Sequence, residues 1–110
     1  MPDTPVLDTL AEITAVSLDR GSLEAREHML VRLAALVATD APAASYLLNF
    51  GAAIDVGVTL EDVQGVLVAV APIVGTARVV SAAGKITQAL GFVIEIAEAE
   101  VMAELADEEA

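Results

Sequence analysis

Apolar residues recur at intervals of three or four along almost the whole chain of 110 residues, and single glycines, prolines and polar residues separate the runs. This spacing places the apolar side chains of each run on one face of an α-helix. We find no hairpin signal and no internal repeat. The sequence therefore predicts an all-α fold, a compact bundle of about six helices that forms a single domain over residues 1–110.

Short polar signals set the expected ends of these helices. Gly57 is a typical left-handed helix stop, and Thr59 with Asp62 forms the pattern of a capping box. Pro72 with Gly75 is expected to break or kink the fourth helix, and Gly91 is expected to end the fifth. The predicted helices cover approximately residues 5–20, 22–38, 42–55, 60–71, 76–90 and 92–105. Residues 66–74 are rich in Val, which favours a strand, but the helix start at Thr59 leads directly into them.

The aliphatic content predicts association between copies of the chain. Hydrophobic residues make up 56% of the sequence and aromatic residues only 3%. A domain of this size has a poor ratio of core to surface and cannot bury so much side chain alone. We therefore expect a homo-oligomer with a core-like interface. The formal net charge of −12 would keep the assembled particle in solution.

Charge and residue usage argue against several classes of protein. Nucleic-acid phosphates require basic contacts, and the chain has 17 acids against 5 bases. The longest uncharged run, residues 63–77, is shorter than the roughly 18 residues of a membrane span. The start, Met1-Pro2-Asp3-Thr4, lacks the basic region of a signal peptide. We expect a soluble, cytoplasmic protein that binds neither nucleic acid nor a membrane.

The single histidine, His28, has Glu24 and Arg32 four residues before and after it. All three share one stripe of a predicted helix, which is typical of a charge ladder on the surface. One His and one Glu are too few ligands for a metal site. We expect no metal and no cofactor.

Polar residues inside two apolar helices are the candidates for a binding site. They are Ser45, Tyr46 and Asn49 on the third helix, with Arg78, Ser81 and Lys85 on the fifth. Buried polar groups need partners, so these residues form hydrogen bonds in the core or interface, or they line a pocket. For the second alternative the candidate pocket residues are Ser45, Tyr46, Asn49 and Arg78. If Arg78 and Lys85 face one cleft, they favour a small anionic ligand.

The chain from Glu95 onward contains seven acids and no base. Its apolar residues still allow a helix to about Leu105, followed by an acidic tail of about residues 106–110. The tail is either solvated and frayed or a segment that binds a partner.

Residues 57–75 carry a likeness to a known family. Gly57, Thr59, an acidic turn, an apolar helix, Ala71-Pro72 and then Gly75 follow one another there. This order resembles the core signature of the carboxymuconolactone decarboxylase-like family, which includes the alkylhydroperoxidase D branch, and the likeness extends over about residues 23–90. The resemblance implies an all-α fold and a trimer, hexamer or similar ring.

The same resemblance places the family's functional positions on this chain. The cysteines of its Cys-x-x-Cys-x-x-x-His motif would fall at Pro42 and Ser45, and its histidine at Asn49. The family glutamate would fall near Leu30. Because the chain has no cysteine, it is not expected to perform thiol peroxidase chemistry. The catalytic residues, if there are any, stay unassigned.

Two functions follow from these observations. The first is a homo-oligomer without redox cysteines that binds a small molecule or has a structural role. The second is a decarboxylase or lactone-processing enzyme with a rebuilt site for a small carboxylate. In that site Tyr46, Asn49 and Arg78 would orient the substrate, and Glu27 or Asp55 would act as the base.

Overall fold

The computed structural model describes residues 3–109, except for the side chain of Glu109, so Met1, Pro2 and the last residue of the expected acidic tail lie outside the described residues. Within that range the chain forms five α-helices and no β-strand, which confirms the all-α prediction. The helices are α1 (Pro5–Arg20), α2 (Ala25–Ala38), α3 (Ala43–Asp55), α4 (Leu60–Val74) and α5 (Thr76–Glu109).

The prediction of a helix end at Gly91 was wrong, and so the described chain has five helices instead of about six. α5 continues through Gly91 to Glu109. A glycine inside a helix costs only about 1 kcal/mol relative to alanine. Leu90 and Val93, on either side of Gly91, pack against the core, so packing of the surrounding turn offsets that cost.

Pro72 does not end α4, although the sequence predicted an end near Ala71. The helix continues for two residues beyond Pro72, to Val74. Proline removes one backbone hydrogen bond to the carbonyl of Val68, and this carbonyl belongs to an exposed residue. Gly75, with φ of 87°, ends the helix in a conformation that favours glycine.

The start of α4 confirms the predicted capping box. The Thr59 hydroxyl accepts a hydrogen bond from the backbone N–H of Asp62 at 3.1 Å. The Asp62 carboxylate accepts from the backbone N–H of Thr59 at 2.9 Å and also contacts Arg26 at 2.6 Å. Gly57, at φ of 85°, is the predicted left-handed stop after α3.

The other helix starts differ in detail from the sequence prediction. α2 begins at Ala25, with Glu24 instead of Ser22 before its first turn. Leu23 therefore lies outside the helix and is exposed. Thr4 precedes α1, and its hydroxyl donates to the Asp8 carboxylate instead of capping the backbone.

The core lies between α2, α3, α4 and α5. Each of these helices contributes between one and three buried side chains, and two of the three from α5 are alanines. The set comprises Met29, Leu33 and Val37 on α2; Tyr46, Phe50 and Ala53 on α3; Val63 on α4; and Ala82, Ile86 and Ala89 on α5.

α1 contributes no buried side chain. Its apolar residues Val6, Leu7, Ile13 and Val16 are largely exposed. Most of the stability of a helix in a protein comes from packing of its apolar face. α1 is therefore the least supported helix of the isolated chain.

α5 is the one helix of the described chain that is long and apolar enough, over Thr76–Glu108, to cross a membrane by length and composition. The sequence predicted a helix end at Gly91, which would have divided this segment into two shorter helices. Core helices of soluble proteins can meet the same measure, and α5 places Ala82, Ile86 and Ala89 in the core.

Candidate functional site

An open cleft of about 290 Å³ lies between α1, α2 and α3. Its walls carry aliphatic side chains together with four polar ones: the Arg32 guanidinium, the Asn49 amide, and the hydroxyl-bearing Thr14 and Ser17. The lining residues are Ile13, Thr14, Ser17, Arg32, Ala35, Leu36 and Asn49. We refer to this feature as the α1–α3 cleft.

Arg32 is the charged group of the cleft. One guanidinium nitrogen, Nη2, donates to the main-chain oxygen of Thr14 at 2.8 Å. The other, Nη1, lies 3.4 Å from the Asn49 side-chain oxygen, which is beyond the usual 2.7–3.2 Å of such a bond. The guanidinium thus has donor capacity left for an oxygen atom placed in the cleft.

Asn49 is held by its own helix. Its amide nitrogen donates to the main-chain oxygen of Ser45, one turn earlier, at 2.8 Å. This bond fixes the amide so that its oxygen faces Arg32. Ser45 takes part through its backbone, and the structure gives its hydroxyl no role at the cleft wall.

The predicted surface ladder of Glu24, His28 and Arg32 was wrong for the last two residues. His28 is half-buried, and its Nε2 lies 3.5 Å from the Ser17 hydroxyl on α1. Its ring also lies against Gly21, where an added Cβ would approach Nδ1 to 2.9 Å. His28 and Arg32 therefore both point toward α1 instead of toward Glu24.

Arg78 and Lys85 do meet at one place, but that place is the loop after α2 and not the α1–α3 cleft. Arg78 donates to the main-chain oxygen of Ala38 at 3.0 Å. Lys85 pairs with the Asp40 carboxylate at 2.9 Å, and Ser81 donates to the same carboxylate at 2.8 Å. Since Asp40 offsets the charge of Lys85, this cluster offers less to an anion than the sequence suggested.

The hydrogen bonds to Asp40 also affect its protonation. The bond from Lys85, followed by that from Ser81, lowers the pKa of the Asp40 carboxyl below its ordinary value of 3.8. The backbone of Thr59, and then its hydroxyl and Arg26, does the same for the pKa of Asp62. Both carboxylates are consequently parts of the fold and not general bases near neutral pH.

Tyr46 is fully buried in the core. Its hydroxyl has no hydrogen-bond partner among the described residues, and its ring lies 6.2 Å from that of Phe50. Burial, and to a smaller extent the charge of Asp40, raises the pKa of the Tyr46 hydroxyl. Of the four predicted pocket residues, Asn49 therefore lines the α1–α3 cleft, while Tyr46 and Arg78 face other parts of the molecule.

The residues that line the cleft offer hydrogen-bond donors and acceptors beside aliphatic side chains. Arg32 is the only ionisable residue among those that line it, and it donates hydrogen bonds without exchanging a proton near neutral pH. Glu27 and Asp55, the predicted bases of a rebuilt enzyme, are exposed and do not line the cleft. Among residues 3–109 there is no group of three or more His, Asp or Glu side chains placed to hold a metal ion.

A model of the Carboxymuconolactone decarboxylase family matches residues 5–89, which include α1 to α4 and the core part of α5. The chain belongs to the carboxymuconolactone decarboxylase family. As a cysteine-free carboxymuconolactone decarboxylase family member, it lacks the Cys-x-x-Cys-x-x-x-His motif, and Asn49 at the expected histidine position lines the cleft. No curated protein and no solved structure matched the chain.

The sequence analysis missed two residues that shape the α1–α3 cleft, Arg32 and Thr14. Arg32 was assigned to a surface ladder because its four-residue spacing from His28 satisfied that pattern. A weak signal was present: Arg32 lies one turn before Leu36 and directly before Leu33, beside the apolar stripe of α2. The contact to a backbone oxygen on α1 has no signature in the sequence.

Proposed function

We propose that this carboxymuconolactone decarboxylase family member is a homo-oligomeric, non-peroxidase protein that binds a small carboxylate or carbonyl compound in the α1–α3 cleft. The observation that carries the ligand class is Arg32, a half-buried guanidinium in a cleft that also presents the aliphatic side chains of Ile13, Ala35 and Leu36. Arginine pairs with carboxylates through two parallel hydrogen bonds. The carboxylate of such a ligand would pair with Arg32, and its apolar part would pack against the aliphatic side chains of the cleft.

Turnover is not part of this proposal, because the lining residues supply neither a thiolate nor a proton-transfer group. The second function, a decarboxylase or lactone-processing enzyme, requires a base within hydrogen-bond reach of the bound substrate. Glu27 and Asp55 do not line the cleft, so we favour binding.

Benzoate is a suitable probe for the site, with benzamide as the neutral control. We expect benzoate to shift the amide resonances of α1 and α2 residues around the cleft and benzamide to shift them much less. Arg32→Ala should abolish the benzoate response, whereas Arg20→Ala, a charge-matched change outside the cleft, should retain it. Equal binding of benzoate to wild type and Arg32→Ala would refute the proposed ligand class.

The proposed association of copies rests on α4. Its outward residues from Gln64 to Ile73 are all uncharged, and Val68 and Ile73 are 74% and 85% exposed. This α4 face consists of Gln64, Gly65, Val68, Ala69, Pro72 and Ile73. Large exposed apolar patches usually mark interfaces. An uncharged face also lets two copies with a net charge of −12 each approach one another.

Native mass spectrometry tests this interface. We expect wild type to appear as a trimer or hexamer of the 11.3-kDa chain, and Val68→Glu with Ile73→Glu to give monomers that keep their helical circular dichroism. Val31→Glu, which also charges an exposed apolar position, is the matched control and should leave the assembly intact. A wild-type chain that is monomeric at micromolar concentration would exclude the homo-oligomer.

A further inference from the structure

The last part of α5 extends beyond the core. Ala89 is its final buried residue, and every side chain over residues 94–108 is exposed. At 1.5 Å per residue, residues 94–109 form a helix about 24 Å long. This projection accounts for the elongated shape of the chain, 55 Å along one axis and 28 Å along the other two. The segment also lies outside residues 5–89 of the family match.

The projecting helix carries an apolar surface. An open groove of about 450 Å³ is lined by Ile94, Ala97, Glu98, Val101 and Met102. Leu105, one turn further, continues the same side of the helix and is also exposed. We call Ile94, Ala97, Val101, Met102 and Leu105 the C-terminal stripe. Their spacing of three and four residues is that of a helix that packs against another helix.

Acidic residues border this stripe on both sides. The segment from Glu95 contains seven acids and no base, and Glu98 lies in the groove itself. On a helical projection with 100° per residue, Glu95 falls at one edge of the stripe and Glu104 at the other, while Glu98 and Glu108 fall within its width. A helix that covers the stripe therefore meets carboxylates along both of its edges.

A second copy of this chain is a poor occupant of the stripe. Paired extensions would bring the seven acids of each copy together. The chain has five bases with which to offset them, and four are engaged elsewhere. Arg26 pairs with Asp62 and Lys85 with Asp40, while Arg78 and Arg32 donate to the main-chain oxygens of Ala38 and Thr14. Charge complementarity must then come from another molecule.

We propose that the C-terminal stripe is a docking surface for a basic amphipathic helix of a different polypeptide. Apolar side chains of that helix fill the groove between Ile94 and Met102. Its lysines and arginines lie along the edges and pair with the bordering glutamates. Recognition by an apolar helix face in an apolar groove is a common mode of peptide binding. The α4 face, which has no charge, is separate from this surface.

A designed peptide with the complementary charge pattern probes the surface directly. The probe is a labelled 18-residue helix of leucine and lysine, with leucine at helical spacing, and its counterpart replaces every lysine by glutamate. Fluorescence anisotropy with the full chain should show binding of the lysine peptide and none of the glutamate peptide. Binding should weaken as salt rises, because screening reduces the attraction between the exposed charges.

Variants locate the binding to the stripe. Val101→Gln with Met102→Gln, which remove apolar surface without adding charge, should weaken the lysine peptide by about tenfold or more, which corresponds to about 1.4 kcal/mol. Glu98→Gln with Glu104→Gln should weaken it less and reduce its dependence on salt. Val31→Gln, at an exposed apolar position on α2, should leave the affinity unchanged.

Four results would overturn the proposal. They are equal affinity of the lysine peptide for wild type and for the Val101→Gln, Met102→Gln chain, equal binding of the lysine and glutamate peptides to wild type, and loss of the oligomer in that double variant. The fourth is binding of the full chain to neutral phosphatidylcholine vesicles through the same two residues. Loss of the oligomer would assign the stripe to a second copy of the chain, and vesicle binding would assign it to a membrane.

Discussion

The guanidinium of Arg32 on α2 donates a hydrogen bond to the main-chain oxygen of Thr14 on α1 at 2.8 Å. Because α1 has no buried side chain, this bond is a principal attachment of the first helix to the rest of the chain. The contact between Ser17 and His28, at 3.5 Å, is longer and weaker. Arg32 therefore holds α1 in place and also forms part of the cleft that α1 covers.

Arg32→Ala should loosen α1 more than it destabilises the core. A hydrogen bond of this kind contributes about 1 kcal/mol, and the buried residues of the other helices are unaffected. Hydrogen exchange of the α1 amides should become faster, while that of α2 and α3 stays close to wild type. Arg20→Ala serves as the control, and unchanged exchange in α1 of the Arg32→Ala chain would contradict this role.

Thr59→Ala should destabilise the chain by about 1 kcal/mol, the usual cost of a lost helix cap. Thr59→Ser keeps the oxygen that accepts from Asp62 and should remain close to wild type. Urea unfolding at one fixed protein concentration compares the three chains, since association adds to the apparent stability. Equal midpoints for the Ala and Ser variants would show that the cap does not contribute.

Glycine replacements distinguish a continuous helix from a helix stop. Gly91 lies inside α5, and an added Cβ there meets nothing within 4 Å, so Gly91→Ala should stabilise the chain by about 0.5–1 kcal/mol. Gly57 has φ of 85°, so Gly57→Ala should destabilise it despite the same open space. Thermal unfolding measures both changes. A loss of stability in Gly91→Ala would indicate that the helix ends at Gly91, as the sequence predicted.

The contacts of the Asp40 carboxylate with Lys85 and Ser81 should make the free energy of unfolding depend on pH in the acidic range. Because the pKa of Asp40 is lower in the folded chain than its ordinary value of 3.8, its stabilisation is present above that value and is lost as pH falls through the folded pKa. Asp40→Asn, which tolerates the left-handed backbone at φ of 53°, should reduce this dependence. Urea midpoints across acidic pH measure it, with Asp19→Asn as the control that should keep the wild-type slope.

Tyr46→Phe should stabilise the chain or leave it unchanged. The hydroxyl is buried without a partner among the described residues, and such a group costs about 1–3 kcal/mol. Tyr46→Ala should instead cost about 3–5 kcal/mol, as for other large aromatic deletions in a core. Urea unfolding separates the two effects. A clear loss of stability in Tyr46→Phe would show that the hydroxyl makes a stabilising hydrogen bond.

The sequence by itself determined the features that depend on neighbouring residues. Apolar spacing predicted the all-α fold, Thr59 and Asp62 predicted the cap of α4, and Gly57 predicted the end of α3. The family resemblance also came from a local run, residues 57–75, and the family match confirms it. These features are decided within a few positions, because a helical hydrogen bond or a cap joins residues three or four apart.

Only the tertiary structure decided which polar groups meet. Arg32 contacts Thr14 across 18 residues of sequence and Lys85 contacts Asp40 across 45, so no local spacing encodes either pair. The continuity of α5 through Gly91 was decided in the same way. The intrinsic cost of a helical glycine is small, and packing of Leu90 and Val93 on the core outweighs it.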